Sequence, residues 1–350
     1  MLLAFLLPAQ ADMLPLLDRS VFSRTDFIYG SEIGAWDTDG GTAITLPACR
    51  HKIKDAGIRV IRFGNWTKLD TREAVTRFSH AIDGMRAVGA YPIIKLPPIW
   101  DKQCNGAPNA WNLEWLKNII QVAGSRVQLY EFANEPDNYC KWDGITYARY
   151  WEQTVPQLKA YARSLGFEIY IGGPALANSY PEDIGWIKNF LDSVKLAYQQ
   201  SGNRDYIPDF ISTHTYLTEQ QNASVAAMQS AVNGWGIFYD NLHRVIDQTF
   251  AGVNDPAGIP LASQIRIADS EYNFTINQAN DQQYSPTFTE AYVKSMFTMF
   301  RERHIWMANL FTLQSHRGQA LDMFTEACTA KPLYDAYRSL QSPTSPRMQR

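Results

Sequence analysis

Short apolar runs rich in Ile, Val, Tyr and Phe recur along the chain, and each is followed by a segment with helical periodicity. Eight of these runs are read as strands, at residues 27–33, 58–63, 91–96, 127–133, 168–172, 210–214, 265–270 and 305–313. Their spacing is the rhythm of repeated βα units. Val75, Phe78, Ile82, Met85 and Val88 return every three or four residues, so 71–88 reads as an amphipathic helix. Gly89 follows it, Gly57 follows a second helix at 46–56, and Gly166 follows a third at 145–165. A residue free to take positive φ is what the end of a helix calls for. Eight such units close a (β/α)8 barrel, whereas fewer would leave an open doubly wound sheet. The open sheet is disfavoured because Gly30, Gly34, Gly40 and Gly41 do not spell a phosphate-binding G-x-G-x-x-G after the first strand. The reading is one α/β domain, a (β/α)8 TIM barrel over 21–341, with no accessory β-sandwich. An N-terminal segment (1–20) precedes the barrel, and a polar tail (342–350) follows the last helix at 332–340.

Composition narrows the function classes. Of 350 residues, 45% are hydrophobic, enough for a large core. Only 19% are charged and the net charge is −3, with no basic run, which argues against nucleic acid as the main partner. The opening MLLAFLLPAQA is apolar and ends in Ala9-Gln10-Ala11, like a signal-peptidase site, but it lacks a basic leader. It reads as the tail of a secretory signal or as an irregular N-terminal segment. The first reading puts the protein in a secreted or periplasmic setting. The opening stretch is too short for a membrane span, and no other segment is long and apolar enough, so no membrane span is expected. Cys49, Cys104, Cys140 and Cys328 match no zinc spacing. Cys104 follows strand three and Cys140 strand four, on neighbouring rim loops. Cys49 begins the first helix and Cys328 precedes the last. The expected pairs are therefore Cys104–Cys140 and Cys49–Cys328.

Working groups of such a barrel sit at the C-terminal ends of its strands. Strand four runs out into Asn134-Glu135-Pro136, and strand seven into Ser270-Glu271-Tyr272-Asn273. A carboxylate at each of two facing strand ends suits cleavage of a glycosidic bond. One carboxyl protonates the leaving oxygen, and the other attacks the anomeric carbon from about 5–5.5 Å away in a retaining enzyme. Pro136 disfavours helical geometry at Glu135, so the acid is expected on an extended strand end. Asn134 is placed to bond a sugar hydroxyl.

Asn134-Glu135-Pro136 after strand four, with Glu271 closing strand seven, resembles clan A of the glycoside hydrolases. Gly172-Gly173-Pro174-Ala175, Ser212-Thr213-His214-Thr215-Tyr216, Ser270-Glu271-Tyr272-Asn273 and Lys331-Pro332-Leu333-Tyr334 resemble families 39 and 51 most. The resemblance implies Glu135 as acid/base and Glu271 as nucleophile of a retaining O-glycoside hydrolase acting on an oligo- or polysaccharide, with no cofactor. It further implies that Arg62 and Tyr216 contact the nucleophile and that His214 lines the sugar subsite. The sequence departs from the clan in strand eight, where the only Trp, Trp306, opens the strand, leaving Phe311 as a substitute sugar platform. Trp36, Trp66 and Trp100 each follow a strand end and are read as lining the cleft. The six His are scattered and no H-E-x-x-H occurs, so no metal site is expected. Two rivals share the framework: a transglycosylase on the same site, and a carbohydrate-binding barrel without activity. The presence of both Glu135 and Glu271 favours an enzyme.

Overall fold

The computed structural model describes residues 14, 16–17, 28–33, 44–64, 69–96, 110–217, 224–274, 285–314 and 322–340. Eight parallel strands pair in sequence order and β8 returns to β1, closing a (β/α)8 barrel. The strands are β1 (Ile28–Ile33), β2 (Val60–Gly64), β3 (Tyr91–Leu96), β4 (Leu129–Phe132), β5 (Tyr170–Leu176), β6 (Phe210–Tyr216), β7 (Arg266–Asn273) and β8 (Met307–Gln314). The helices between and after them are α1 (Pro47–Asp55), α2 (Arg72–Ala87), α3 (Ala110–Ala123), the one-turn α4 (Pro136–Tyr139), α5 (Gly144–Ser164), α6 (Asp183–Ser201), α7 (Val225–Thr249), α8 (Pro286–Glu302) and α9 (Pro332–Leu340).

The ends of β5, β6 and β7 lie four, two and three residues beyond those expected from sequence. The apolar runs stop earlier, but the residues that follow still pair with neighbouring strands, alternately facing the barrel and the helices. The start of β2 is later than expected, because Ile58 still belongs to the turn after α1, its N–H reaching Ile53 O at 3.3 Å. Helix boundaries follow local chemistry. Thr71, Asp143, Ser224 and Ser285 accept from the N–H three residues on, capping α2, α5, α7 and α8. Gly57, Gly89 and Gly166 take φ of 70°, 82° and 88° just past their helices.

Strand alternation divides the core. The outward residues Ile61, Phe63, Ile94, Leu96, Tyr130 and Phe132 pack under the helices with Phe78, Ile82, Met85 and Trp151. The inward residues Val60, Ile93, Leu129, Tyr170, Phe210, Ala268 and Met307, joined by Trp306, fill the barrel toward the strand starts. Each large apolar side chain buried in this way contributes about 1.5–3 kcal/mol. Cys49 of α1 and Cys328 ahead of α9 form a disulfide with Cα atoms 5.4 Å apart, joining the first and last units of the ring. Cys140 is also disulfide-bonded. Cys104, expected as its partner, lies outside the described residues, as do nearly all of 1–20 and all of 342–350.

Candidate active site

One step of two residues along each strand turns the apolar floor into charge. Val60 is followed on the same face by Arg62, Ile93 by Lys95, and Leu129 by Glu131, while Glu32 of β1 pairs in register with Arg62. All four charged side chains are buried. Arg62 donates from Nε to Glu131 Oε2 at 2.7 Å, from Nη1 to Glu32 Oε2 at 2.5 Å and to Glu271 Oε1, and from Nη2 to Asn134 Oδ1 at 2.7 Å. Lys95 Nζ donates to the other Glu32 oxygen at 2.5 Å. Burial opposes the charge on Arg62, but Glu131, Glu32 and Glu271 outweigh it and lift its pKa well above the usual value. Burial raises the pKa of Glu32 against the opposing pull of Lys95.

A bulge in β7 brings Glu271 to this cluster. Thr213 pairs with Asp269, yet the next residue, His214, pairs with Glu271. On the other side, three steps from Asp269 to Tyr272 match two steps from Ala308 to Leu310. Both neighbours therefore see one extra residue in β7, which shifts the side-chain alternation. Ala268 and Glu271 face the barrel, whereas Asp269 and Tyr272 face the helices. Without the extra residue, Glu271 would point at the helical layer.

Glu135 is placed by a different device. Its backbone is left-handed, φ 50° and ψ 51°, and it caps the one-turn α4. This corrects the expectation of an extended strand end. Pro136 does exclude the right-handed helical region, but the chain turns through the left-handed one, held by Glu135 N donating to Ala175 O at 2.8 Å. Such a conformation costs a non-glycine residue about 1–2 kcal/mol and recurs at functional sites.

The two carboxylates meet around His214. Its Nδ1 lies 2.9 Å from Glu135 Oε1 and 3.7 Å from Glu271 Oε2. A carboxylate oxygen of Glu135 and one of Glu271 lie within 4.8 Å of each other. The Tyr216 hydroxyl donates to Glu271 Oε2 at 2.8 Å. Burial alone would raise the pKa of Glu271, but His214, Arg62 and Lys95 outweigh it and hold the carboxyl far below the usual range. For His214, burial alone would lower the pKa, but Glu271 and Glu135 raise it. The donor atoms of Glu135, His214 and Glu271 are also close enough together to suit a cation. Here Arg62 already supplies positive charge to Glu271, and His214 Nδ1 is engaged by Glu135.

Arg62, Asn134, Glu135, His214, Tyr216 and Glu271, named from sequence, thus come together. Asn134 offers its carbonyl to Arg62, leaving its amide N–H groups for another partner. His214 sits under the carboxylates, fully buried, rather than on an open cleft wall. Trp306 is buried at the far end of the barrel against Phe210. Phe311 is half-buried beside Tyr216, with ring centroids 6.4 Å apart. Trp36, Trp66 and Trp100 lie outside the described residues. Sequence reading missed Lys95, Glu131 and Asp269. Each is a charged residue inside a strand, one position from apolar neighbours, and that pattern was the available signal. Tyr139, whose hydroxyl bonds Glu135 although much of its ring is exposed, was missed as well.

Residues 67–242 match the family described as glycosyl hydrolase catalytic core, a stretch that includes Asn134, Glu135, His214 and Tyr216. The chain belongs to this family. Among curated proteins, none matches it by sequence. Solved structures share its fold. A monomeric β-xylosidase from Caulobacter crescentus CB15 is 15% identical, with a TM-score of 0.59, over 91% of this chain and 68% of that one. A family 51 α-L-arabinofuranosidase from Bifidobacterium longum is 12% identical, with a TM-score of 0.62, over 94% and 74%. A broad-specificity endoglucanase of family 5 from an uncultured bacterium is 14% identical, with a TM-score of 0.56, over 91% and 95%. The glycosyl hydrolase core is therefore a TIM barrel, and a carbohydrate is its implied substrate.

Proposed function

We propose that the protein hydrolyses O-glycosidic bonds of an oligo- or polysaccharide with retention of anomeric configuration, with Glu271 as nucleophile and Glu135 as acid/base. The observation that carries this reading is the approach of the two carboxylates to within 4.8 Å. Inverting enzymes need about 6.5–9.5 Å to admit a water between them, and retaining enzymes about 5–5.5 Å.

The chemistry runs in two displacements. Glu271 attacks the anomeric carbon while Glu135 gives its proton to the departing oxygen, leaving a glycosyl ester on Glu271. Glu135, now a carboxylate, takes a proton from water, which attacks the same carbon and releases Glu271. Arg62 and Tyr216 hold one oxygen each of Glu271, so the attacking group is ionised and oriented before substrate arrives. The free amide N–H groups of Asn134 suit a sugar hydroxyl beside the reacting carbon. A secreted or periplasmic location is part of the reading, supported by the disulfides, which persist in oxidising compartments.

The test is a screen of 4-nitrophenyl glycosides and polysaccharides, with the first-formed anomer followed by proton NMR. A product of the same anomeric configuration as the substrate is expected. Inversion would overturn the mechanism, and inactivity against every glycoside would leave a binding barrel as the better reading.

A further inference from the structure

Two carboxylates and one ammonium lie behind Arg62, and a chain of side chains links Lys95 to the proposed nucleophile. Lys95 bonds Glu32, Glu32 bonds Arg62, and Arg62 bonds Glu271. The nitrogen that serves Glu271, Nη1, is the same one that serves Glu32. That nitrogen carries two N–H groups, one for each carboxylate, so Glu32 and Glu271 share its positive charge. Lys95 takes the second oxygen of Glu32 and so supplies that carboxylate with a countercharge of its own. Glu131 accepts from the Nε edge of the guanidinium, and Asn134 accepts from Nη2. Because the guanidinium is planar, these two anchors fix the direction of Nη1. Strand alternation puts all of these residues inside the barrel: Glu32 pairs with Arg62 and Lys95 with Glu131, the second pair two residues further along, since Arg62 pairs with Ile93. Burying so many charges costs several kcal/mol per ion unless each is paired. A floor of apolar residues would suffice for stability alone.

We propose that Lys95 and Glu131 are positioning residues for Glu271: Lys95 takes up the charge of Glu32 so that Arg62 serves Glu271, and Glu131 fixes the plane in which Arg62 does so. This rests on the assignment of Glu271 as nucleophile. The charged and titratable groups around Glu271 are Glu32 from β1, Arg62 from β2, Lys95 from β3, Glu131 and Glu135 from β4 and the turn after it, Tyr139 from α4, His214 and Tyr216 from β6, and Asp269 from β7. Lys95 acts on Glu271 with the same sign as Arg62 and His214, and Glu32 acts with the opposite sign.

The experiment compares Lys95→Met, Lys95→Met/Glu32→Gln and Glu131→Gln by two readouts. The first is the pH dependence of kcat/KM on whichever 4-nitrophenyl glycoside the protein turns over fastest. The second is the carboxyl 13C resonance of Glu271 in glutamate-labelled protein, assigned by its loss in Glu271→Gln. In Lys95→Met, the acidic limb and the onset of the Glu271 titration should both move up by about one pH unit, a tenfold loss of activity on that limb. In the double variant both should return to within about 0.3 unit of the parent, since the charges of Lys95 and Glu32 leave together. Glu131→Gln should lower kcat about tenfold without moving the limb upward, because no cation is lost. A resonance that stays in place in Lys95→Met, or moves equally in the double variant, overturns the proposal for Lys95. An unchanged kcat in Glu131→Gln overturns it for Glu131. A resonance that moves while the limb does not would instead overturn Glu271 as nucleophile. Should Lys95→Met fail to fold, the double variant still decides: an upward shift of about one unit there contradicts the charge balance.

Discussion

The Thr215 hydroxyl donates to Asp269 Oδ2 at 2.5 Å, bridging β6 and β7 beside the extra residue that turns Glu271 into the barrel. Asp269 is fully buried on the helix-facing side of β7. Burial drives its carboxyl well above the usual carboxylate range, against the hydrogen bonds from Thr215 and Tyr239. The bulge thus lies beside a carboxyl whose pKa burial pushes up, two residues from one whose pKa its cationic neighbours push down.

Asp269→Asn should stabilise the protein at pH 7. A carboxyl raised in the folded state contributes stability that is full below its unfolded pKa, and this is lost as pH rises through the folded value. The amide keeps an acceptor for Thr215 and does not titrate, so its melting temperature should exceed the parent's by a few degrees at pH 7, with little difference at pH 4. Asp269→Leu leaves the Thr215 hydroxyl buried without its acceptor, a cost of about 1–3 kcal/mol, and should reduce activity with it. Calorimetry at the two pH values checks both. An Asn variant less stable than the parent at pH 7 would mean that Asp269 is ionised.

The periodic parts of this fold were the legible ones. β3 and α9 occupy the residues that their apolar patterns mark, 91–96 and 332–340. Legibility faded where polar side chains face inward. Glu131 and Lys95 sit in apolar runs, and the runs were read for hydrophobicity rather than for which face each charge takes. Glu135 shows a second limit. Pro136 restricts its neighbour, but two regions remain open, and only the long-range bond to Ala175 selects the left-handed one. The phase of β7 shows a third, because a bulge is set by pairing with β6 and β8 rather than by any residue type at Ser270.

Removing the Cys49–Cys328 bridge should destabilise the barrel without touching its chemistry. The bridge spans 279 positions, so its loss frees a long stretch of the unfolded chain. The expected cost is about 2–4 kcal/mol. Cys49→Ser/Cys328→Ser should melt several degrees lower at neutral pH and keep the parent's kcat and KM at 25 °C. A lowered kcat at a temperature where the variant is folded would show that the closure between the first and last units reaches the active site.

Glu271→Ala should reduce turnover on the order of 10⁴-fold or more. Added azide should restore it by occupying the space of the lost carboxylate, and the glycosyl azide should have the opposite configuration to the substrate. In the parent, Glu271 is held far below its ordinary value, with burial outweighed by His214, Arg62 and Lys95. Glu271 is therefore expected to stay charged until the pH falls through that depressed value. The acidic limb of kcat/KM should lie below pH 4.5, the ordinary value for a glutamate. A limb centred above it, or an alanine variant with substantial activity and no azide effect, would remove Glu271 from the role.

Glu135→Gln should separate substrates by leaving group. The amide keeps the shape of the side chain but has no proton to give to the departing oxygen. A poor leaving group needs that proton and should lose about 10²–10⁴-fold in kcat/KM. A 2,4-dinitrophenyl glycoside departs with little help and should lose far less in the first step. Its glycosyl ester should then accumulate, because no base activates water, and KM should fall together with kcat. Azide needs no base, so it should attack the ester directly and give a glycosyl azide of retained configuration, opposite to the product from Glu271→Ala. The contrast assigns the two residues independently, since a shared structural defect cannot yield azides of opposite configuration. Equal losses on both substrates, with no azide product, would show that Glu135 is not the acid/base.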